Sequence, residues 1–404
     1  MNVEDLVRDS LRELAAEEPS VAPELADRVL SVRRRRRTRK LVAAAVATTA
    51  AVAVTVGVPL LDPDRHDARP ARVVQTDGVR TDTHQWPPGK EIGSGEATLA
   101  AYYTLKVHRQ SAGWDLAERT YWLLNPKTGH YTKDPRWSDV AVAPGLRTAA
   151  VLERTLPAHR IGLLDLATGE VERWIQVDRE VAGLAFSEDG RRLVATTYDK
   201  NPDLLRVGEG DKGTGGFNVL DDVSRTGFYV LDVHSGQGGP WSGVAADRNS
   251  TGRRDFSFSR TGDAVYAQIP DSGHGTQRFY DLDGNTIAAP ADEKYLRADV
   301  QARLSPNGRL AALGLAKEIK PGKSYSSIRD PRTGKEITKV RGGELLAWVD
   351  DHRLIAWERV TSLDEPFRAR LFLVTIGSDK VVPLSGVVEP YGQSQGWVPV
   401  FARP

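Results

Sequence analysis

The 404-residue chain contains no cysteine. That one absence excludes disulfides, thiolate metal sites, cysteine nucleophiles and anchoring through a lipid-modified cysteine. Net charge is almost absent as well: 55 Lys and Arg face 54 Asp and Glu, a formal balance of +1. No overall field draws the chain to nucleic acid, and none is expected as a partner. Catalytic and metal signatures are missing too. The eight histidines, at 66, 84, 108, 130, 159, 234, 274 and 352, never pair at metal-ligand spacing, and neither H-E-x-x-H nor G-x-S-x-G occurs. No catalytic residue, metal site or cofactor is therefore expected. Long apolar runs are also lacking, with a single exception.

That exception organises the chain. Residues 41–61 carry no charge. As a helix they would span about 32 Å at ~1.5 Å per residue, enough for a hydrocarbon core of roughly 30 Å. Immediately before them stand Arg33, Arg34, Arg35, Arg36, Arg37, Arg39 and Lys40. Such a positive flank is held on the cytoplasmic side, so these seven residues set the topology. A cleaved signal peptide fits less well, because its basic region would fill forty residues where a whole secretory signal takes roughly 15–30. The expectation is a single-pass anchor at 41–61 in the cell membrane, with the N-terminus cytoplasmic and the C-terminal bulk outside.

Within the inner segment, residues 1–40, apolar side chains fall at Val3, Leu6, Val7, Leu11 and Leu14, one stripe at helical period. Asn2 is a suitable N-cap, Glu4 and Asp5 favour the first turn, and Pro19 ends the helix. Pro23 can open a second short helix. Acidic residues outnumber basic ones here up to Leu30, so anionic lipid is a poor host and docking to a protein is the expected role. The patterns Val3-Glu4-Asp5-Leu6 and Leu11-Arg12-Glu13 resemble the cytoplasmic heads of actinobacterial membrane-anchored regulators, some encoded beside sigma factors. The resemblance implies a cytoplasmic partner such as a sigma factor. High arginine and alanine content agrees with an actinobacterial source.

Residues 62–92, broken by Pro63, Pro70, Pro87 and Pro88, read as an extracytoplasmic linker. Beyond it, over 93–404, two turn markers alternate. One is a turn before a short apolar strand: Ser187-Glu188-Asp189-Gly190, Ser259-Arg260-Thr261-Gly262 and Ser305-Pro306-Asn307-Gly308, with weaker copies at Gly95, Gly145 and His352. The other is a strand ending in Asn or Asp and then a glycine turn, as in Asn125 to Gly129, Asp165 to Gly169, Asp232 to Gly236, Asp281 to Gly284 and Asp330 to Gly334. Both recur at roughly 45 residues, the length of a four-stranded antiparallel unit. Both series stretch at the same repeat, which places an insertion of roughly 25 residues between Asn201 and Ser224. Ser305-Pro306-Asn307-Gly308 resembles the strand-leading turn of TolB-type and WD-repeat-like propellers. The resemblance implies an all-β, six-bladed β-propeller, with seven blades possible. The first unit lacks a first strand before Gly95, and Trp397-Val398-Pro399-Val400-Phe401 is a spare one that can close the ring.

Three further stretches have plain turn readings. Gly322-Lys323-Ser324 lacks the opening glycine of a phosphate loop, and no helix follows Gly208 to Gly216. Asp281-Leu282-Asp283-Gly284-Asn285 is only a fragment of a calcium loop. The expected function is a ligand- or protein-binding module in the cell envelope, a sensor or regulator acting through its cytoplasmic head. The alternative is a propeller-type hydrolase or lyase acting on an envelope polymer or small molecule.

Overall fold

The computed structural model describes residues 78–404, apart from 86, 112, 208–216, 220–224, 246–252, 270–274, 362–367 and 388–396. The expected head, basic flank and anchor lie outside the described residues. Among the described residues every regular element is a β-strand, and no helix is long and apolar enough to cross a membrane.

The strands form successive antiparallel units. The first holds β1 (Gly93–Ser94), β2 (Ala97–Ser111), β3 (Trp114–Asn125) and β4 (His130–Asp134). The second holds β5 (Trp137–Val142), β6 (Thr148–Glu153), β7 (Ala158–Asp165) and the first half of β8 (Glu170–Phe186). In the third, the second half of β8 pairs with β9 (Arg192–Tyr198). The insertion strands β10 (Leu204–Val207) and β11 (Phe217–Val219) come next in the chain, and then β12 (Arg225–Asp232) and β13 (Ser242–Gly243) complete the unit. A fourth unit follows as β14 (Ser257–Phe258), β15 (Ala264–Gln268), β16 (Gln277–Asp281) and β17 (Thr286–Ile287). The fifth is β18 (Ala311–Lys320), β19 (Lys323–Arg329) and β20 (Glu336–Arg341), its inner edge met by a bridge from Leu304 to Ala311. The sixth is β21 (Glu344–Trp348), β22 (Arg353–Arg359), β23 (Ala369–Thr375) and β24 (Val381–Pro383). Last comes β25 (Val398–Ala402).

Two features depart from a plain repeat. β8 runs unbroken from the outer edge of the second unit to the inner edge of the third, so these two share one seven-stranded sheet. No glycine or proline interrupts residues 170–182, which leaves nothing to force a turn there. The second departure is β25, which returns to the first unit and pairs antiparallel with β2, from Thr98↔Ala402 to Tyr103↔Val398. The first unit therefore takes its innermost strand from the far end of the chain.

Apolar seams join most units to the next. Tyr121 and Val151 lie in the seam between units one and two, and Leu152 and Leu193 in that between two and three. Phe228 meets Phe256 between three and four, and Ala264 and Tyr266 pack with Ala298 beyond it. Ile328 and Leu354 belong to the seam of units five and six. A last seam returns from the sixth unit to the first, where Leu99 and Tyr102 pack with Ile355, Leu371 and Trp397. Tyr102 stacks on Trp122 at 5.3 Å, and Trp397 meets Tyr102 and Trp357 edge-on at 5.4 and 5.1 Å. Buried aromatic area of this kind dominates packing energy. The architecture is all-β and propeller-like.

Residues at the end of the expected linker are docked on this domain. Arg80 bridges Gly93, Asp82 pairs in parallel with Ser385, and Lys90 bridges His130.

Candidate functional site

The β-hairpin of β2 and β3 is longer than the others, and its tip accepts a strand from elsewhere. The insertion after β9 contributes β10, which pairs with β3 at Leu204↔Leu116, Leu205↔Asp115 and Arg206↔Trp114. A strap thus crosses from the third unit to the first. Beneath its root five charged side chains converge: Arg119 on β3, Asp139 on β5, Asp203 just before β10, and Arg253 and Asp255 just before β14.

Arg253 is the hub. Its Nη1 donates to Asp139 Oδ1 at 2.9 Å and to Asp255 Oδ2 at 3.1 Å. Its Nε and Nη2 donate to the two oxygens of Asp203 at 3.2 and 3.3 Å, and Nη2 also reaches the Ala182 carbonyl at 2.5 Å. Arg119 forms a second, two-pronged pair with Asp203 at 2.5 and 3.0 Å. The Leu184 N–H donates to Asp139 Oδ2 at 2.9 Å, and the Tyr198 hydroxyl donates to Asp255 Oδ1 at 2.7 Å.

These surroundings sort the carboxyls. Burial pushes Asp139 up to about 6, with Arg253 opposing that rise and Asp255 adding to it. Burial acts the same way on Asp203, but Arg253 and Arg119 together outweigh it and hold Asp203 below the usual range. Burial, then Asp139, pushes the Tyr121 phenol well above its ordinary value; burial, then Asp255, does the same for Tyr198. Three carboxyls share two guanidiniums, so the cluster carries one negative charge when every group is ionised.

Local sequence patterns do not reveal this cluster, because its members come from four units. Repeat alignment does reveal part of it. Asp139, Gly183 and Asp255 each lie four residues before the first residue of their turn, Ala143, Ser187 and Ser259. They are equivalent positions in three successive units, two of them on β5 and β8 and the third just before β14. Glycine is needed at the middle one, since a Cβ on Gly183 would stand 2.2 Å from the Asp255 carboxyl carbon.

At the opposite ends of these strands lies an open groove of about 510 Å³, among Thr148, Glu172, Arg173, Asp189, Arg191 and His234. The Ser187 hydroxyl holds Asp189 below the carboxylate range, and the Ser235 N–H does so for Asp232 at the rim. Arg173 is fixed across the groove by donating to the His234 carbonyl at 3.0 Å.

Sequence-derived candidates fall elsewhere. Arg33, Arg34, Arg35, Arg36, Arg37, Arg39 and Lys40, with the stripe Val3, Leu6, Val7, Leu11 and Leu14, lie outside the described residues, as does Gly208 to Gly216. Asp281 accepts the Asp283 and Asn285 N–H groups and the Asn285 side-chain amide, as a turn cap. Lys323, in the glycine turn, pairs with Asp379 at 3.5 Å. Trp122, Trp357 and Trp397 pack where the first and last units meet.

No family model matches the chain, and no curated protein matches its sequence significantly. Among solved structures it is similar to TolB from Acinetobacter baumannii, at 15% identity and TM-score 0.37, over 73% of this chain and 68% of that one. It is similar to the β-propeller domain of the Trilobed protease from Pyrococcus furiosus, at 14% identity and TM-score 0.38, over 74% and 81%. Hydrazine synthase from Kuenenia stuttgartiensis is similar at 11% identity and TM-score 0.34, over 62% of this chain and 66% of its own. At this distance the likenesses add nothing to the strand pairing and seams described above.

Proposed function

We propose that the chain is a membrane-anchored, six-bladed propeller that binds a ligand or protein of the cell envelope and acts, through its head, as a sensor or regulator. One observation carries the binding reading. The charged groups that converge beneath the strap are already bonded to one another, whereas the groove at the opposite ends stays open and polar. A binding surface needs accessible, fixed polar groups, and Arg173 and Asp189 meet that need. The stripe Leu6, Leu11 and Leu14 supports a second contact, with a cytoplasmic protein such as a sigma factor. A helix this short is marginal in water unless its stripe is covered.

The hydrolase or lyase reading has one observation in its favour: Asp139, pushed up to about 6, is tuned as a general acid or base would be. Against it, both Asp139 oxygens are already held, by Arg253 and by the Leu184 amide.

The test uses full-length protein in membranes, with photo-crosslinking residues placed in turn at Thr148 in the groove and at Leu6 in the head. Adducts at Thr148 that vanish on Arg173→Glu with Arg191→Glu, and adducts at Leu6 that vanish on Leu11→Asp, support two separate contacts. Adducts indifferent to both pairs of changes contradict the reading. Turnover of an envelope polymer that is lost in Asp139→Asn would favour the enzyme.

A further inference from the structure

We propose that Arg119, Asp139, Asp203, Arg253 and Asp255 form a proton-responsive latch that ties the strap from the third unit to the β2–β3 hairpin of the first. This inference is independent of what the groove binds.

The strap's attachment is narrow. Backbone pairing reaches from Leu204↔Leu116 to Arg206↔Trp114, and the Ala117 N–H donates to the Asp203 carbonyl at 3.0 Å. The root of the strap is fixed by one side chain, Asp203, which is only 7% exposed. Asp203 is held from two directions, by Arg119 of the hairpin and by Arg253 of the fourth unit. Arg253 does not serve Asp203 alone. Asp139 and Asp255 compete for the same guanidinium, and a small recess beside Arg119, Ser138, Asn201 and Asp203 has room for about one water.

Charged or titratable groups face Asp139 from three of the elements around it, while β8 offers the Leu184 amide and β6 pairs it with Leu152. From β3 come Arg119 and Tyr121, from the strap Asp203, and from the segment before β14 Arg253 and Asp255. Asp139 is shifted into the mildly acidic range, whereas Asp203 is held below the usual one. When Asp139 holds a proton, three acidic side chains present two negative charges to two guanidiniums, and Arg253 is left to Asp203 and Asp255. When the proton leaves, a third negative charge competes for Arg253 and repels Asp203, and the strap's anchor weakens. Mild acid closes the latch and neutral pH loosens it.

Hydrogen exchange on the full-length chain reads this directly at the Ala117 amide and the amides of β10. Once the intrinsic pH dependence of amide exchange is removed, their opening should grow roughly tenfold between about pH 5 and about pH 8. Amides of β22, in the sixth unit, should not follow. Asp139→Asn should show the same opening at both pH values, and Asp203→Asn should open readily at both. Asp255→Asn removes a like charge from Asp139 and should move the midpoint of the native profile to lower pH. This second variant keeps the proposal open to refutation if Asp139→Asn does not fold. A flat profile in the native chain, a profile retained in Asp139→Asn, or a midpoint unmoved by Asp255→Asn overturns the latch.

Discussion

The repeat is built from a few side chains that close the same turn each time. In Ser305-Pro306-Asn307-Gly308 the Ser305 hydroxyl donates to Asn307 Oδ1 at 2.9 Å and accepts the Leu310 N–H at 3.0 Å. Ser187 does the same with Asp189 and the Arg192 N–H, at 2.6 and 3.0 Å. Gly190, Gly262 and Gly308 all sit at φ near +70°, where a Cβ is strained. Gly308→Ala should therefore lower unfolding stability by about 1 kcal/mol or more, read from denaturant midpoints at constant slope. The second marker works through its carboxylate. Asp165 accepts the Thr168 and Ala167 N–H groups at 2.9 and 2.7 Å; the Thr168 bond is the largest cause of its depressed value, and burial opposes it. Its folded value lies below the unfolded one, so its stabilisation is present above about pH 4 and is lost as pH falls through the folded value. Asp165→Asn should be less stable than the native chain near neutral pH, and thermal unfolding should show that gap closing in acid. These turn residues were legible because each turn is made within a few positions. The charge cluster was not, because residues such as Arg119 and Arg253 meet only after the units assemble.

At the scale of elements, the spare strand and the insertion have different histories in the sequence. The apolar run from Trp397 was readable as a missing partner, since the first unit began without one, and β25 occupies that place beside β2. Trp397, 3% exposed, packs with Tyr102 of the first unit and Trp357 of the sixth. Trp397→Ala should cost about 3–5 kcal/mol, as for other large aromatic deletions, and should expose the inner edge of the first unit to protease. The insertion announced its length but not its strands. β10 has only four residues, and its pairing is to a hairpin in another unit, which no local alternation records. β8 was missed as one strand for the converse reason. A period of about 45 residues divides it between two units, while its backbone meets no residue that would break it.

For the whole molecule, the seam from the sixth unit back to the first makes the C-terminal strand the element on which closure depends. The chain's lack of cysteine turns this into a clean measurement. Thr98 and Ala402 are register partners across β2 and β25, whereas Phe401 points to the other face of the strand. Thr98→Cys with Ala402→Cys, oxidised at low protein concentration, should give an intramolecular disulfide in nearly every molecule and raise the melting temperature. Thr98→Cys with Phe401→Cys should not. A pair that stays reduced, links separate chains instead, or forms equally well in the Phe401 control would contradict a ring closed by its own C-terminal strand.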